Sequence, residues 1–308
     1  MKKIFINRNS QLRSGYKIFI TFAAFFVLLI ICTSITEVLY FAVKMFATGN
    51  NISSTQDYIL QIQSDSLFSL MSHIVQTFCM IIAVYAFWRI FDKKPIRDLG
   101  FTNPLVHKKD FFIGLAFGAI SISTVFIILK LTGQIEVSNG LFNPDLSIVL
   151  FSDLLLFIMV GISEELFSRG YCMTVLKQTG SPAAMVIISA CIFSVIHSLN
   201  PNITIVGFIN IFLVGVLFAF MFLKRGNLWL PIGYHITWNY FQGSVFGFQV
   251  SGLDIHGMYH VKLNSQNIIN GGLFGPEGGI VTTFVLILSI IAIMLLNGSN
   301  NKKNTQVQ

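Results

Sequence analysis

The sequence predicts an all-α fold, a polytopic membrane bundle of about eight transmembrane helices, and three observations predict it. Of the 308 residues, 54% are hydrophobic and only 11% charged, against roughly 25% charged in a soluble domain. Mean hydropathy is +0.73, and apolar runs long enough to cross a bilayer recur from end to end. The twenty Lys and Arg fall in short clusters between alternate runs. A net charge of +7 raises the question of nucleic acid, but scattered clusters of this kind mark topology rather than a binding patch, so no nucleic-acid partner is expected.

The elements follow in order. Met1 to Lys17 carries Lys2, Lys3, Arg8, Arg13 and Lys17 and enters an apolar run to about Met45. This is longer than the roughly 7–15-residue core of a cleavable signal peptide, so it reads as a retained first span. The polar segment Thr48 to Ser66 contains no Lys or Arg, and a second span follows from Leu67 to Phe91. Arg89, Lys93, Lys94, Arg97, Lys108 and Lys109 then precede a third span, Phe111 to Leu131. The fourth runs from Ser147 to Thr179 and is broken by Gly180-Ser-Pro182, because proline is tolerated at a helix start and not inside one. The fifth extends from Ala183 to Leu199, and the sixth from Ile203 to Leu223. Lys224-Arg225-Gly226-Asn227 forms a basic loop before the seventh, Leu228 to Val250. A Gly- and Asn-rich loop to Gly279 precedes the eighth, Ile280 to Leu296. Basic residues fall in alternate loops, which places both termini in the cytoplasm of a multi-pass plasma-membrane protein. Three regions are expected: 1–98 with the first two spans, a core of 99–296, and a polar tail of 297–308 carrying Lys302 and Lys303. No soluble domain of workable size is present. Cys32, Cys79, Cys172 and Cys191 lack metal-type spacing and read as packing residues.

Charge inside such helices costs roughly 2.5–3.5 kcal/mol at the bilayer centre, so intramembrane ionisable groups are read as functional by default. Gly161-Ile-Ser-Glu164-Glu165-Leu-Phe-Ser-Arg169-Gly170 places two carboxylates and an arginine at the end of an apolar run. Glu165 and Arg169 are four apart and share a helix face, whereas Glu164 is turned about 100° away and left for chemistry. Phe193 and His197 lie one turn apart late in the fifth span, and His235 and Asn239 one turn apart in the seventh. Singly, each polar residue reads as interhelical glue worth about 0.6 kcal/mol. The combination of Glu164, His197, His235 and Asn239 on three helices points to a site.

Glu164-Glu165-x-x-x-Arg169, Phe193-x-x-x-His197 and His235-x-x-x-Asn239, in this order on successive spans, resemble the three signature motifs of the CPBP family. These are the intramembrane CAAX-type proteases and bacteriocin-processing or immunity proteins, also called the Abi family. Leu199-Asn-Pro-Asn202, Asn227-Leu-Trp-Leu-Pro231 and Gly275-Pro-Glu-Gly-Gly279 resemble its bacterial members. The resemblance covers roughly Leu99 to Leu296 and departs from no motif position. It implies a peptide hydrolase acting on a membrane-associated peptide or lipidated protein among membrane lipids. Glu164 resembles the general base, His197 and His235 the pair that positions the water, and Asn239 a donor to the tetrahedral intermediate. Glu165, Arg169 and Phe193 would support them. Two His and one Glu also match some catalytic zinc sites, so zinc on Glu164, His197 and His235 stays open. HExxH is absent, however, and a ligand role for Glu164 would compete with its role as base; the metal-free scheme is preferred.

In straight helices Glu164 lies about 22 Å from Thr179, His197 about 22 Å from Pro182, and His235 only about 12 Å from Asn227. The fourth helix must then project at its inner end for the three to meet. A polar, water-reachable cavity opening toward the cytoplasmic half and lined by helices four to seven is the expectation. His256 and His260, near Asp254, read as a solvated loop, and Glu37 and His73 as interfacial groups. Two other classes fit an intramembrane Glu, His and Asn: a proton-coupled transporter, which inverted repeats would favour, and a non-catalytic immunity protein of the same fold.

Overall fold

The computed structural model describes residues 2–7, 9–48 and 65–296. Most of the polar segment between the first two spans, and the tail from 297 with Lys302 and Lys303, lie outside the described residues. After a single helical turn at Lys2–Phe5, eight longer α-helices run through the described residues: α1 (Ser14–Thr48), α2 (Ser66–Phe91), α3 (Lys108–Leu131), α4 (Val149–Glu165), α5 (Pro182–Ile196), α6 (Ile205–Arg225), α7 (Trp229–Tyr240) and α8 (Ile280–Leu295). Among the described residues, α1, α2, α3, α5 and α6 are long and apolar enough to cross a membrane, and α8 is apolar but shorter. The protein is a multi-pass membrane protein. One small antiparallel pair, β1 (Ile135–Val137) and β2 (Val261–Leu263), joins the α3–α4 connection to the α7–α8 connection.

Local chemistry sets the helix ends. The Asp65 carboxylate accepts the Leu67 and Phe68 N–H groups at the start of α2. Ser181 accepts from Ala184 with Pro182 in the first turn of α5, and Thr204 accepts from Gly207 in α6. These are the side-chain caps that satisfy otherwise orphaned helix donors. Gly180 and Gly226 stop the chain in the left-handed region, where a Cβ is penalised.

Two elements depart from the straight helices read in the sequence. The fourth span is not one α-helix from Ser147 to Thr179. After Glu165 it widens to π geometry over Leu166–Cys172, then returns to α at Met173–Leu176 and tightens over Lys177–Thr179. The seventh ends its α-helical part at Tyr240 and continues as π turns only to Val245. Gly247, at φ +72°, ends it short of Val250.

Helix α7, which carries His235 and Asn239, is pressed against α3 at three glycines. A Cβ on Gly114 would come within 2.3 Å of the Leu230 carbonyl, one on Gly118 within 2.3 Å of the Tyr234 carbonyl, and one on Gly233 within 2.4 Å of the Phe111 carbonyl. Small residues that let backbones meet are a common basis of helix pairing in lipid. Gly118→Val is therefore expected to lower the unfolding midpoint of the purified protein, by the upper end of the roughly 1–3 kcal/mol typical of overpacking or more. Gly15→Ala, where no atom lies within 4 Å of the added Cβ, should leave the midpoint unchanged. A thermal melt in detergent of both variants checks this.

Helix α1 is tied in by polar contacts. The Lys17 ammonium, 1% exposed, pairs with Asp92 at 2.6 Å, and Thr21 donates to the Tyr171 hydroxyl at 2.8 Å. Leu99, Tyr171, Cys172, Met173, Leu228 and Ile232, all fully buried, close the bundle beneath Arg169 on the side of the Lys- and Arg-bearing loops.

Candidate active site

Three helices bring the motif residues to one point. The Glu164 Oε2 atom lies 3.7 Å from His197 Nε2 and 3.9 Å from His235 Nε2. It is buried and has no hydrogen-bond partner among the described residues. Both imidazoles are anchored through their other nitrogen. His197 Nδ1 sits 2.8 Å from the Phe193 carbonyl oxygen, and His235 Nδ1 sits 3.1 Å from Glu165 Oε1. A carbonyl and a carboxylate only accept, so each Nδ1–H donates and each Nε2 is turned toward Glu164.

The unequal depths of the three residues are reconciled near the basic end of the bundle. Leu228 donates its N–H to the Gly100 carbonyl at 3.0 Å, and a Cβ on Gly170 would meet Leu99 O at 3.1 Å and Leu228 Cδ1 at 3.3 Å. The start of α7 is therefore level with Gly170, and the turns from Tyr171 to Thr179 project beyond it. The Asn227 side chain fixes this start by accepting the Trp229 N–H at 3.0 Å and donating to Asp110 at 2.8 Å.

Glu165 and Arg169 form the support beneath. Arg169 donates to Glu165 Oε1 at 3.0 Å, with both side chains fully buried, and to the Gly215 carbonyl of α6 at 3.3 Å. Its guanidinium lies 4.3 Å from the Phe193 ring centroid and 5.0 Å from that of Phe218, within cation–π range. Sequence reading paired Glu165 with Arg169 alone. The same carboxylate oxygen also accepts from His235, so Glu165 links the arginine to an imidazole of the site. Spacing along one helix cannot reveal a contact that comes from another.

Asn239 is 8% exposed and faces the same cavity as Glu164, His197 and His235, a space of about 410 Å³. The lining of this cavity extends beyond the expected one. Helices α4 to α7 line it as anticipated, but so do Phe22 and Phe26 of α1, and His73 and Thr77 of α2. Its walls are mostly aromatic and aliphatic. It reaches Leu199, Asn200, Ser251 and Leu253, at the end opposite the basic loops. His197 stands just past the last turn of α5, beside that end.

Two cavity residues were absent from the sequence-derived set. His73, read as interfacial, donates from Nδ1 to the Ser69 carbonyl, 2.8 Å away, and lines the cavity. Glu277 is 7% exposed and takes the Trp238 indole N–H at 3.2 Å and the Ser251 N–H and hydroxyl at 2.8 and 2.7 Å. Its carbonyl accepts from Asn210 of α6 at 2.7 Å. The Gly275-Pro-Glu-Gly-Gly279 stretch was the available signal. His256 and His260 are half-exposed; each Nε2 lies 3.7 Å from Asp145, while Asp254 accepts from Gln249.

The zinc donors in question, Glu164 Oε2 and the two Nε2 atoms, face one another at 3.7 and 3.9 Å. Among the described residues, no group of three or more His, Cys, Asp and Glu is placed to hold a metal ion. Cys79 and Cys172 are buried free thiols.

No curated protein matches this chain. Residues 146–241 match the family model described as type II CAAX prenyl endopeptidase, Rce1-like; this stretch holds all three motifs, and the match agrees with the CAAX-protease family that those motifs resemble.

Proposed function

We propose that the protein is an intramembrane endopeptidase that hydrolyses a peptide bond with a water activated by Glu164. The observation that carries this reading is the position of Glu164 Oε2, a buried carboxylate oxygen without a protein partner among the described residues, facing two imidazole nitrogens at 3.7 and 3.9 Å. Those separations exceed a direct hydrogen bond and suit a molecule held between the groups. A water there gives one proton to Glu164, while its other hydrogen stays on the oxygen and is hydrogen-bonded to an imidazole Nε2. The hydroxide attacks the peptide carbonyl, and the Asn239 amide donates to the resulting oxyanion. Glu164 then returns its proton to the leaving amine as the C–N bond breaks, so proton and electron pair balance. Phe193 and the Glu165–Arg169 pair hold the imidazoles in register. Basic residues in alternate loops support a cytoplasmic position for both termini, and the bundle is assigned to the plasma membrane.

The test is a peptidase assay on reconstituted protein. Cleavage should be lost in His235→Ala and unaffected by a chelator; loss with chelator and return with zinc would replace the metal-free scheme. Asn239→Ala is expected to reduce turnover by about 3–4 kcal/mol in barrier, the range for removing one oxyanion donor. Its KM should change little, because the donor acts on charge that develops after binding. Steady-state kinetics separates the two parameters.

A further inference from the structure

We infer that the peptide reaches Glu164 from the end of the bundle opposite the basic loops, the extracytoplasmic side, and presents an apolar segment to the cavity. This rests on the hydrolytic reading above. His197 closes the last turn of α5, and the next residues, Leu199 and Asn200, already line the cavity. Leu199 is 88% exposed and Leu253, across the mouth, 44%. A site imidazole thus stands within a few residues of the surface.

In the other direction the fully buried layer of Leu99, Tyr171, Cys172, Met173, Leu228 and Ile232 stands between Arg169 and the basic end. Lys93, Lys94, Lys177, Lys224 and Arg225 mark that end, against Lys44, Lys130 and Lys262 at the mouth end. The positive-inside rule then puts the mouth outside. Phe22, Phe26, Phe157 and Phe167 form much of the wall, so the side chains accommodated there are apolar, as in a membrane-embedded or membrane-inserting peptide.

The rival route is a groove of about 1020 Å³ between α1 and α5, running from Arg13 and Thr179 at the basic end to Phe22, Phe167 and Ile196. These last three also line the catalytic cavity. The Phe22 and Phe167 rings stack there with centroids 5.5 Å apart, and Phe167 is 1% exposed. That pair stands where the groove and the cavity adjoin.

The two routes separate by thiol labelling. In a full-length background with Cys32→Ala and Cys191→Ala, Leu253→Cys and Thr179→Cys are treated with a membrane-impermeant maleimide, in intact cells and in inside-out vesicles. The assay substrate is an apolar fluorogenic peptide. Leu253→Cys should label in intact cells, and its adduct should abolish cleavage. Thr179→Cys should label only in inside-out vesicles and keep its cleavage rate. Labelling with the opposite sidedness, inhibition from position 179, or no inhibition from position 253 would each overturn the route. If even the unlabelled background protein cleaves nothing, the hydrolytic reading fails, yet the route is still decided. Protection of Leu253→Cys from labelling by the peptide would uphold it, and the absence of protection would end it.

Discussion

Glu164→Gln is expected to abolish peptide cleavage while leaving the purified protein folded. Glutamine matches glutamate in shape and helix propensity, so α4 continues unchanged. The Oε2 atom has no protein hydrogen bond to lose among the described residues, and the nearest imidazole nitrogens, at 3.7 and 3.9 Å, are not directly bonded to it. What disappears is the capacity to take a proton from water. Loss of a positioned general base typically costs roughly 10²–10⁴ in rate. Glu165→Gln makes the informative contrast: its carboxylate accepts from both Arg169 and His235, so that substitution should weaken fold and activity together. Initial rates in liposomes, paired with melting curves, separate the two variants. Wild-type cleavage by Glu164→Gln would remove Glu164 from the mechanism. No cleavage by any form, with peptide still bound, would favour a binding protein of the same fold.

How much of this was legible in the sequence depends on whether a feature is local. The helical class and most span positions followed from apolar runs, and caps such as Ser181-Pro182 and the left-handed Gly180 are encoded within a few residues. The pairing of Glu165 with Arg169 is likewise a matter of helix period. The π turns at Leu166–Cys172 were not legible, because an apolar run does not distinguish α from π turns. Gly170 is pressed against Leu99 and Leu228, a contact between segments that are distant in sequence. The same holds for His235 on Glu165, for Glu277 beneath Trp238, and for the mouth of the cavity. Depth in the membrane was counted along each helix separately, whereas the mouth is set by which loops fold over α5 and α7. The three glycines Gly114, Gly118 and Gly233 were visible as letters, but only their partners' carbonyls explain them.

Arg169→Ala is expected to have the largest effect on stability of any single change in this region, and the companion variants show why. Both members of the Arg169–Glu165 pair are 0% exposed. Removing one partner of such a pair leaves a buried charge uncompensated and typically costs about 3–5 kcal/mol, a large share of the roughly 5–15 kcal/mol that holds a domain folded. The contacts over Phe193 and Phe218 and the hydrogen bond to Gly215 are lost as well, so α5 and α6 loosen from α4 together. Arg169→Lys should recover only part of the loss, since one ammonium cannot reach Glu165 and Gly215 with a planar fork. The double variant Arg169→Met with Glu165→Gln removes both charges while keeping volume, and should melt well above Arg169→Ala. It also keeps an acceptor for His235, because the amide oxygen introduced by Glu165→Gln can take the Nδ1–H. Thermal melts of wild type and the three variants therefore test whether the pair acts through charge burial. If the double variant melts no higher than Arg169→Ala, packing of the guanidinium between its two aromatic rings, and not the carboxylate left behind, is what the fold depends on.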